Sequence, residues 1–409
     1  MSRIAELIEE LCPNGVMHLS MGATGTFTRG SGIQKKDFLE QGFPAIHYGQ
    51  IFTRYGLWAS ETYIFVDEAV AGKSKLAQPG DVVIATTSEN DEDLAKAVAW
   101  IGNSPVAVSS DAMIYSPENL NPKFVSYFLN SADFQKQKEK FITGTKVKRI
   151  SSQNFSKIKI PVPPLKIQEE IVRILDRFTL LEAELEAELE ARRKQYAYLS
   201  ENIFSSIENG KNTSLGSIVS TVSTGATPRA GEKKYYENGE IPWLRTGEIQ
   251  FRDIYCSKTK ITQNAVNDYR LKMVPENSVV VAISGATAAR SAVLKSKMVT
   301  NQHCCCLQVN PSIAYYKYVF YWLKKDYLVL KSKGRGARSD LNTKIIKEHP
   351  ILLPPLDEQK RIADLLDKFD ALVNDISSGL PAEIAARRKQ YEYYRDQLLT
   401  FKELQPEAA

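Results

Sequence analysis

The sequence predicts an α+β fold: two mixed α/β domains separated by two long helical regions that form an antiparallel coiled coil, with a pseudo-two-fold internal repeat relating the halves. Three observations predict it. The chain repeats itself, each half contains short β-branched runs bounded by turn residues, and apolar stripes at helical spacing follow each half.

The repeat comes first because it organises everything else. VPPLKIQEEIVRILDRFTLL at residues 162–181 aligns without a gap to LPPLDEQKRIADLLDKFDAL at residues 353–372, so that Leu165 matches Leu356. ARRKQY then recurs at residues 191–196 and 386–391, with four additional residues in the second copy. Those fall near Gly379 and Pro381, a pair that interrupts a helix and lets Pro381 start a new one. The preceding segments repeat more faintly: Phe43, Pro44, Ile46, Gly49 and Ile51 match Ile241, Pro242, Leu244, Gly247 and Ile249. The boundaries that follow are residues 1–160 for the first domain with its N-terminal helix, 161–210 for a central helical spacer, 211–350 for the second domain and 351–409 for a C-terminal helical region.

Within each domain, DVVIA (residues 81–85) and SVVVAIS (residues 278–284) read as strands. KFVSYFLN and YKYVFYWLKK carry aromatic and aliphatic residues at helical spacing and read as core helices. In the spacer, Ile171, Leu175, Phe178, Leu181, Leu185 and Leu189 lie three or four residues apart along one face. The second copy supplies Ile362, Leu365, Phe369, Leu372 and Ile376, so the economical packing sets one repeat's helix against the other's.

Bulk properties exclude several classes. At 409 residues, 43% hydrophobic and 25% charged, the chain has material for more than one core, and no apolar run of about 20 residues could span a membrane. The N-terminus lacks the apolar centre and cleavage site of a signal peptide. Five cysteines, three of them adjacent at Cys304, Cys305 and Cys306, do not make a disulfide framework, so a reducing cytoplasm is expected. The formal charge is only +5, but residues 19–160 carry +2, residues 211–350 carry +12 and the remainder carries −9. A basic second domain beside acidic helices points to a polyanion for the domain and another partner for the helices.

On Pro164, Leu165, Gln168, Leu175, Asp176 and Phe178, and again on Pro355, Leu356, Gln359, Leu366, Asp367 and Phe369, the chain resembles the specificity (S) subunits of type I restriction-modification systems over essentially its whole length. LEAELEAELEAR at residues 181–192 is similar to the tetrapeptide repeats of the central helix in some of these subunits. Four residues lengthen a helix by about 6 Å, close to two base-pair rises of about 3.4 Å. The resemblance implies that each α/β domain is a target recognition domain for one half of a split, asymmetric sequence in double-stranded DNA. It implies that the helices bind two methyltransferase (M) subunits, that restriction (R) subunits complete the complex, and that Ile171, Leu175, Phe178, Leu185, Leu189, Ile362, Leu366 and Phe369 form the coiled-coil or subunit interface. It also implies that the chain is not catalytic by itself: S-adenosylmethionine, ATP and Mg belong to the partners.

DNA contact needs Lys and Arg for phosphates and polar forks for base edges. In the first domain the candidates are Arg29, Lys35, Lys36, Gln50, Arg54, Lys146, Lys148 and Arg149. In the second they are Arg229, Lys233, Lys234, Arg245, Arg252, Lys331, Lys333, Arg335 and Arg338, with KSKGRGAR the densest cluster. Enzymatic readings fail on spacing. Both Pro-Pro pairs precede Leu, unlike a methyltransferase motif, and Asp67 stands where a phosphate-binding loop ending in Gly72, Lys73 and Ser74 needs glycine. Glu232, Lys233 and Lys234 lack the acidic partner of a nuclease motif, and His303 beside three adjacent cysteines reads as a buried strand, not a zinc site. The alternative is a protein-interaction scaffold of duplicated domains and a coiled coil; salt-dependent binding to duplex DNA separates the two.

Overall fold

The computed structural model describes residues 3–334, 340–375 and 378–404. They belong to two compact units, one of residues 1–186 with 383–409, the other of residues 187–382. The helical frame consists of α1 (Arg3–Leu11), α2 (Pro122–Phe128), α3 (Leu165–Asn202), α4 (Tyr316–Lys325), α5 (Leu356–Asn374) and α6 (Leu380–Leu399).

In the first unit, β1 (Gly25–Arg29), β2 (Trp58–Ala59), β3 (Val82–Ala85), β4 (Ala97–Trp100) and β5 (Ala112–Pro117) form a sheet in the order β1-β5-β3-β4-β2. In the second, β6 (Val219–Ser223), β7 (Asp253–Ile254), β8 (Val279–Ala282), β9 (Ser291–Leu294) and β10 (Cys304–Val309) run in the order β6-β10-β8-β9-β7. The order is the same, and in each sheet the last pair is parallel: Trp58 faces Ala99, and Asp253 faces Val293. The structural repeat therefore extends far beyond the matched helical motifs.

Both faces of each sheet are buried, which is why its central strands read as continuous apolar runs without alternation. On one face, Val82, Ile84, Ala97, Ala99, Met113 and Tyr115 meet the α2 aromatics Phe124, Tyr127 and Phe128 together with Ile167, Ile171 and Leu175 of α3. On the other, Val83, Ala85, Val98 and Ile114 meet Ile46, Ile51 and Val108. The second unit repeats the scheme, with Val279, Val281, Cys305 and Leu307 against α4 and α5 and Val280, Ala282, Cys304 and Cys306 on the opposite side. Successive side chains of a strand point to opposite faces, so the three cysteines cannot converge on one ion. Burial pushes the Cys305 and Cys306 thiols up to about 12.

α3 runs unbroken for 38 residues, about 57 Å, because its sequence holds no Pro or Gly and is rich in Leu, Glu, Ala, Arg and Lys. Glu188 with Arg192 and Glu190 with Lys194 add i,i+4 pairs at 3.3 and 2.7 Å. The second copy breaks where expected, α5 ending at Asn374 and α6 beginning at Leu380 with Pro381 in its first turn. Gly379 is obligatory there, since a Cβ would stand 2.4 Å from the Ala371 carbonyl oxygen. Within the first unit α3 and α6 run antiparallel: Phe178 stacks on Tyr394 with centroids 5.6 Å apart, and Glu182 accepts from Arg388 at 2.8 Å. Within the second, the Tyr196 hydroxyl near the end of α3 donates to Asp370 of α5 at 3.1 Å.

One expectation is corrected. Ile171, Leu175, Ile362 and Leu366 are fully buried in the core of their own unit, where α2 and α4 cover them. The apolar stripe serves the adjacent domain first and meets α6 further along, at half-buried Phe178; Leu181, Leu185 and Leu189 are half-buried. Leu372 is exposed, Val373 being buried in its stead, Phe369 is half-buried, and Ile376 lies outside the described residues.

Candidate nucleic-acid interface

Each domain is joined to its helix by the same bonded junction, made from the residues that carry the sequence repeat. Gln168 is buried; its Oε1 accepts from the Asn121 N–H at 2.7 Å and its Nε2 donates to the Pro163 oxygen at 2.7 Å. Gln359 does the same with Tyr315 and Pro354 at 2.8 and 2.9 Å. Just over two turns along, Asp176 accepts from Lys123 and from the Tyr127 hydroxyl, both at 2.8 Å. Asp367 accepts from Lys317 at 3.0 Å and Tyr321 at 2.5 Å. Burial, and then the neighbouring carboxylate, raise both tyrosines well above the usual phenol range. The lysine's remaining contact differs at equivalent strand positions: Lys123 lies 3.9 Å over the Trp58 ring, whereas Lys317 pairs with Asp253 at 3.3 Å.

On this frame the candidate DNA contacts of the first unit divide. Arg29 at the end of β1 and Arg149 in the short strand Lys148–Arg149 line one cleft of about 420 Å³, together with Thr86, Thr87, Asp111 and Thr143. The register explains the convergence, since Arg29 pairs with Met113 and Arg149 with Thr87, while the Ile150 N–H donates to the Thr86 oxygen at 3.2 Å. Arg29 Nε donates to the Ser110 oxygen at 3.2 Å. The Arg149 guanidinium and Asp111 carboxylate make no hydrogen bond or ion pair among the described residues. Lys148 is tied to Asp91 at 3.2 Å.

The other candidates lie outside this cleft. Lys35, Lys36 and Lys146 are exposed, and Arg54 sits 5.6 Å from the centroid of the Tyr63 ring. Gln50 turns inward on its short helix, its Oε1 buried without a protein partner among the described residues. In the second unit Arg229, Lys233, Arg245, Arg252 and Lys333 are exposed. Lys234 is bound to Asp268 at 3.2 Å, and Lys331 donates to the Tyr327 hydroxyl at 3.0 Å. Arg252 lies along a different cleft, lined by Asp253, Lys317 and Asp367, which adjoins the domain–helix junction. Arg335 and Arg338 lie outside the described residues. Asp111, Thr87 and the junction's Lys and Tyr partners had no motif to single them out.

Among the described residues no group of His, Cys, Asp and Glu could hold a metal ion, and no helix is long and apolar enough to cross a membrane.

The family model for the type I restriction modification DNA specificity domain matches this chain twice, at residues 26–191 and 208–386. The specificity subunit of the type I restriction enzyme EcoR124I/EcoR124II of Escherichia coli is 33% identical over 326 residues, 76% of this chain and 79% of that protein. A putative type I restriction enzyme specificity subunit of Haemophilus influenzae is 28% identical over 301 residues, 71% of this chain and 74% of that protein. The fold is shared with the type I restriction-modification S subunit from M. genitalium, at a TM-score of 0.57 and 13% identity over 94% of this chain and 96% of that one. It is also shared with the HsdS subunit from Thermoanaerobacter tengcongensis, at 0.52 and 16% over 96% and 99%. The duplicated domains, their common sheet order and the two family matches lead to one conclusion: this chain belongs to the DNA specificity subunits of type I restriction-modification systems, whose general function is recognition of a DNA target.

Proposed function

We propose that this chain recognises a bipartite, asymmetric target in double-stranded DNA, one half-site per α/β domain, and that its helical regions scaffold two methyltransferase subunits and the restriction subunits. The observation that carries the reading is one domain architecture built twice on a shared helical frame, with the same sheet order but different polar side chains at its edges. A chain that met one repeated sequence would have no use for two different surfaces. The chemistry then resides on partners, which hold S-adenosylmethionine, ATP and Mg, while this chain contributes the address. Arg29 and Arg149 are the base-reading or phosphate-binding groups we favour in the first unit, with Arg229, Lys233, Lys333 and the 331–338 segment in the second. Residues 181–192 act as the spacer between half-sites.

The test is single-molecule mapping of modified adenines in the source genome, before and after deletion of the gene. Loss of one split motif with a fixed internal gap is expected. An unchanged pattern in cells that express this chain with an active methyltransferase partner would overturn the reading and favour a duplicated scaffold for other proteins.

A further inference from the structure

The two sheets can be superposed residue by residue through their hydrogen-bond registers, and four positions at the strand ends then stand out. Ala112 faces Ala85 in the first unit as Cys304 faces Ala282 in the second, so Asp111, just before Ala112, is equivalent to His303. Thr87, two residues beyond Ala85, is equivalent to Ser284. Thr28 faces Ile114 as Ser223 faces Cys306, which makes Arg29 equivalent to Thr224. The Ile150 N–H donates to the Thr86 oxygen at 3.2 Å, and the Leu341 N–H to the Ile283 oxygen at 2.8 Å, which makes Arg149 equivalent to Asp340.

Two backbone features of this edge recur in both units. Ala95 and Ala289, equivalent residues of the β3–β4 and β8–β9 hairpins, both hold a left-handed φ of 68°, and each donates its N–H back across the hairpin, to Ala85 and to Ala282. An alanine in that region is strained, and its occurrence twice marks a hairpin shape that is needed, not incidental. On this shared scaffold three of the four side chains differ in hydrogen-bonding character, while Thr87 and Ser284 both present a hydroxyl. The first unit presents Arg, Thr, Asp and Arg; the second presents Thr, Ser, His and Asp.

Resting on the DNA-recognition reading above, we propose that three of these positions are the specificity-determining cluster of each domain, Arg29, Asp111 and Arg149 in the first and Thr224, His303 and Asp340 in the second, with the hydroxyl of Thr87 or Ser284 common to both. A structural role would preserve chemistry between equivalent positions, as the junction does with its Gln, Asp, Tyr and Lys. A phosphate-binding role would keep both sets basic. Only base reading needs a fixed scaffold with exchanged donors and acceptors. In the first unit the arginine forks match guanine O6 and N7, while the Asp111 carboxylate, which makes no hydrogen bond or ion pair among the described residues, accepts from the amino group of a cytosine or adenine. In the second, Ser284 donates to Asp340 at 2.5 Å, which holds an acceptor toward a base amino group beside the exposed His303 ring.

The test uses the assembled methyltransferase, this chain co-expressed with its M partner in a host without adenine methylation, with modified adenines mapped across the host genome. D111N and R149Q are expected to relax one or two positions of a single half-site by about tenfold or more, leaving the other half unchanged. D340N and H303Q are expected to relax the opposite half only. R149K keeps the charge of an exposed, unbonded side chain and so retains the fold, yet it loses the fork and should relax the same position as R149Q. Full stringency at both half-sites in all of these variants, or a uniform loss of marks at an unchanged motif and unchanged melting temperature, would overturn the assignment. A wild-type complex that marks no split motif would instead overturn the DNA-recognition reading beneath it.

Discussion

Gln168 and Gln359 show what a single side chain contributes here. Each is buried and bridges the first turn of its long helix to the loop entering α2 or α4. Replacing Gln168 by Ala strands the Asn121 N–H and the Pro163 carbonyl, and an unsatisfied buried group costs about 1–3 kcal/mol. Q168A is therefore expected to lower the protection of the α2 amides in hydrogen exchange by about 2–3 kcal/mol, with α4 unaffected. Lys138 offers a second test. It is 1% exposed and donates to the Leu94 and Glu92 carbonyls at 2.8 and 3.1 Å. Burial pushes its ammonium down to about 8 from an ordinary 10.5. Between these values the unfolded chain binds a proton that the folded chain has released, so this residue's contribution to stability rises with pH across that window and is flat below it. The difference in unfolding free energy between wild type and K138M should grow from pH 8 to 10.5; parallel curves would contradict the shift.

At the scale of elements, α3 was legible because its pattern is local. Helix formers, i,i+4 charge pairs and the absence of Pro and Gly specify 38 helical residues without reference to anything distant. The interruption between α5 and α6 was legible for the same reason, through Gly379 and Pro381. The partner of each stretch of apolar stripe was not, because a spacing of three or four residues says that a face is covered and not by what. Ile171 and Leu175 went to the recognition domain, Phe178 to the tyrosines of α6. The LEAE segment, whose glutamates and alanines are largely exposed, should tolerate insertion. One further tetrapeptide adds about 6 Å and a rotation of about 40°, so the methylated motif is expected to keep both half-sites and widen its gap by one or two base pairs. Altered half-sites at an unchanged gap would refute the spacer role.

At the scale of the molecule, the proposed DNA reading together with the +12 charge of residues 211–350, against +2 for residues 19–160, predicts that most phosphate contact falls on the second domain. Neutralising Lys233 and Lys333 together should weaken binding to all duplexes alike and reduce the slope of log affinity against log salt by up to about 1.8. Neutralising Lys35 and Lys36 should change it less. A slope unmoved by the first pair would place the phosphate contacts elsewhere.

The sequence by itself determined the duplication, the long helices, the helix break, the buried central strands and the family, because repeats and periodicities are properties of neighbouring residues. Tertiary structure alone decided how the strands pair out of chain order, that Gln168 and Asp176 are junction residues, and that Arg29, Asp111 and Arg149 share one cleft. Those residues lie far apart in the chain, and only the sheet register, which no local pattern encodes, brings them together.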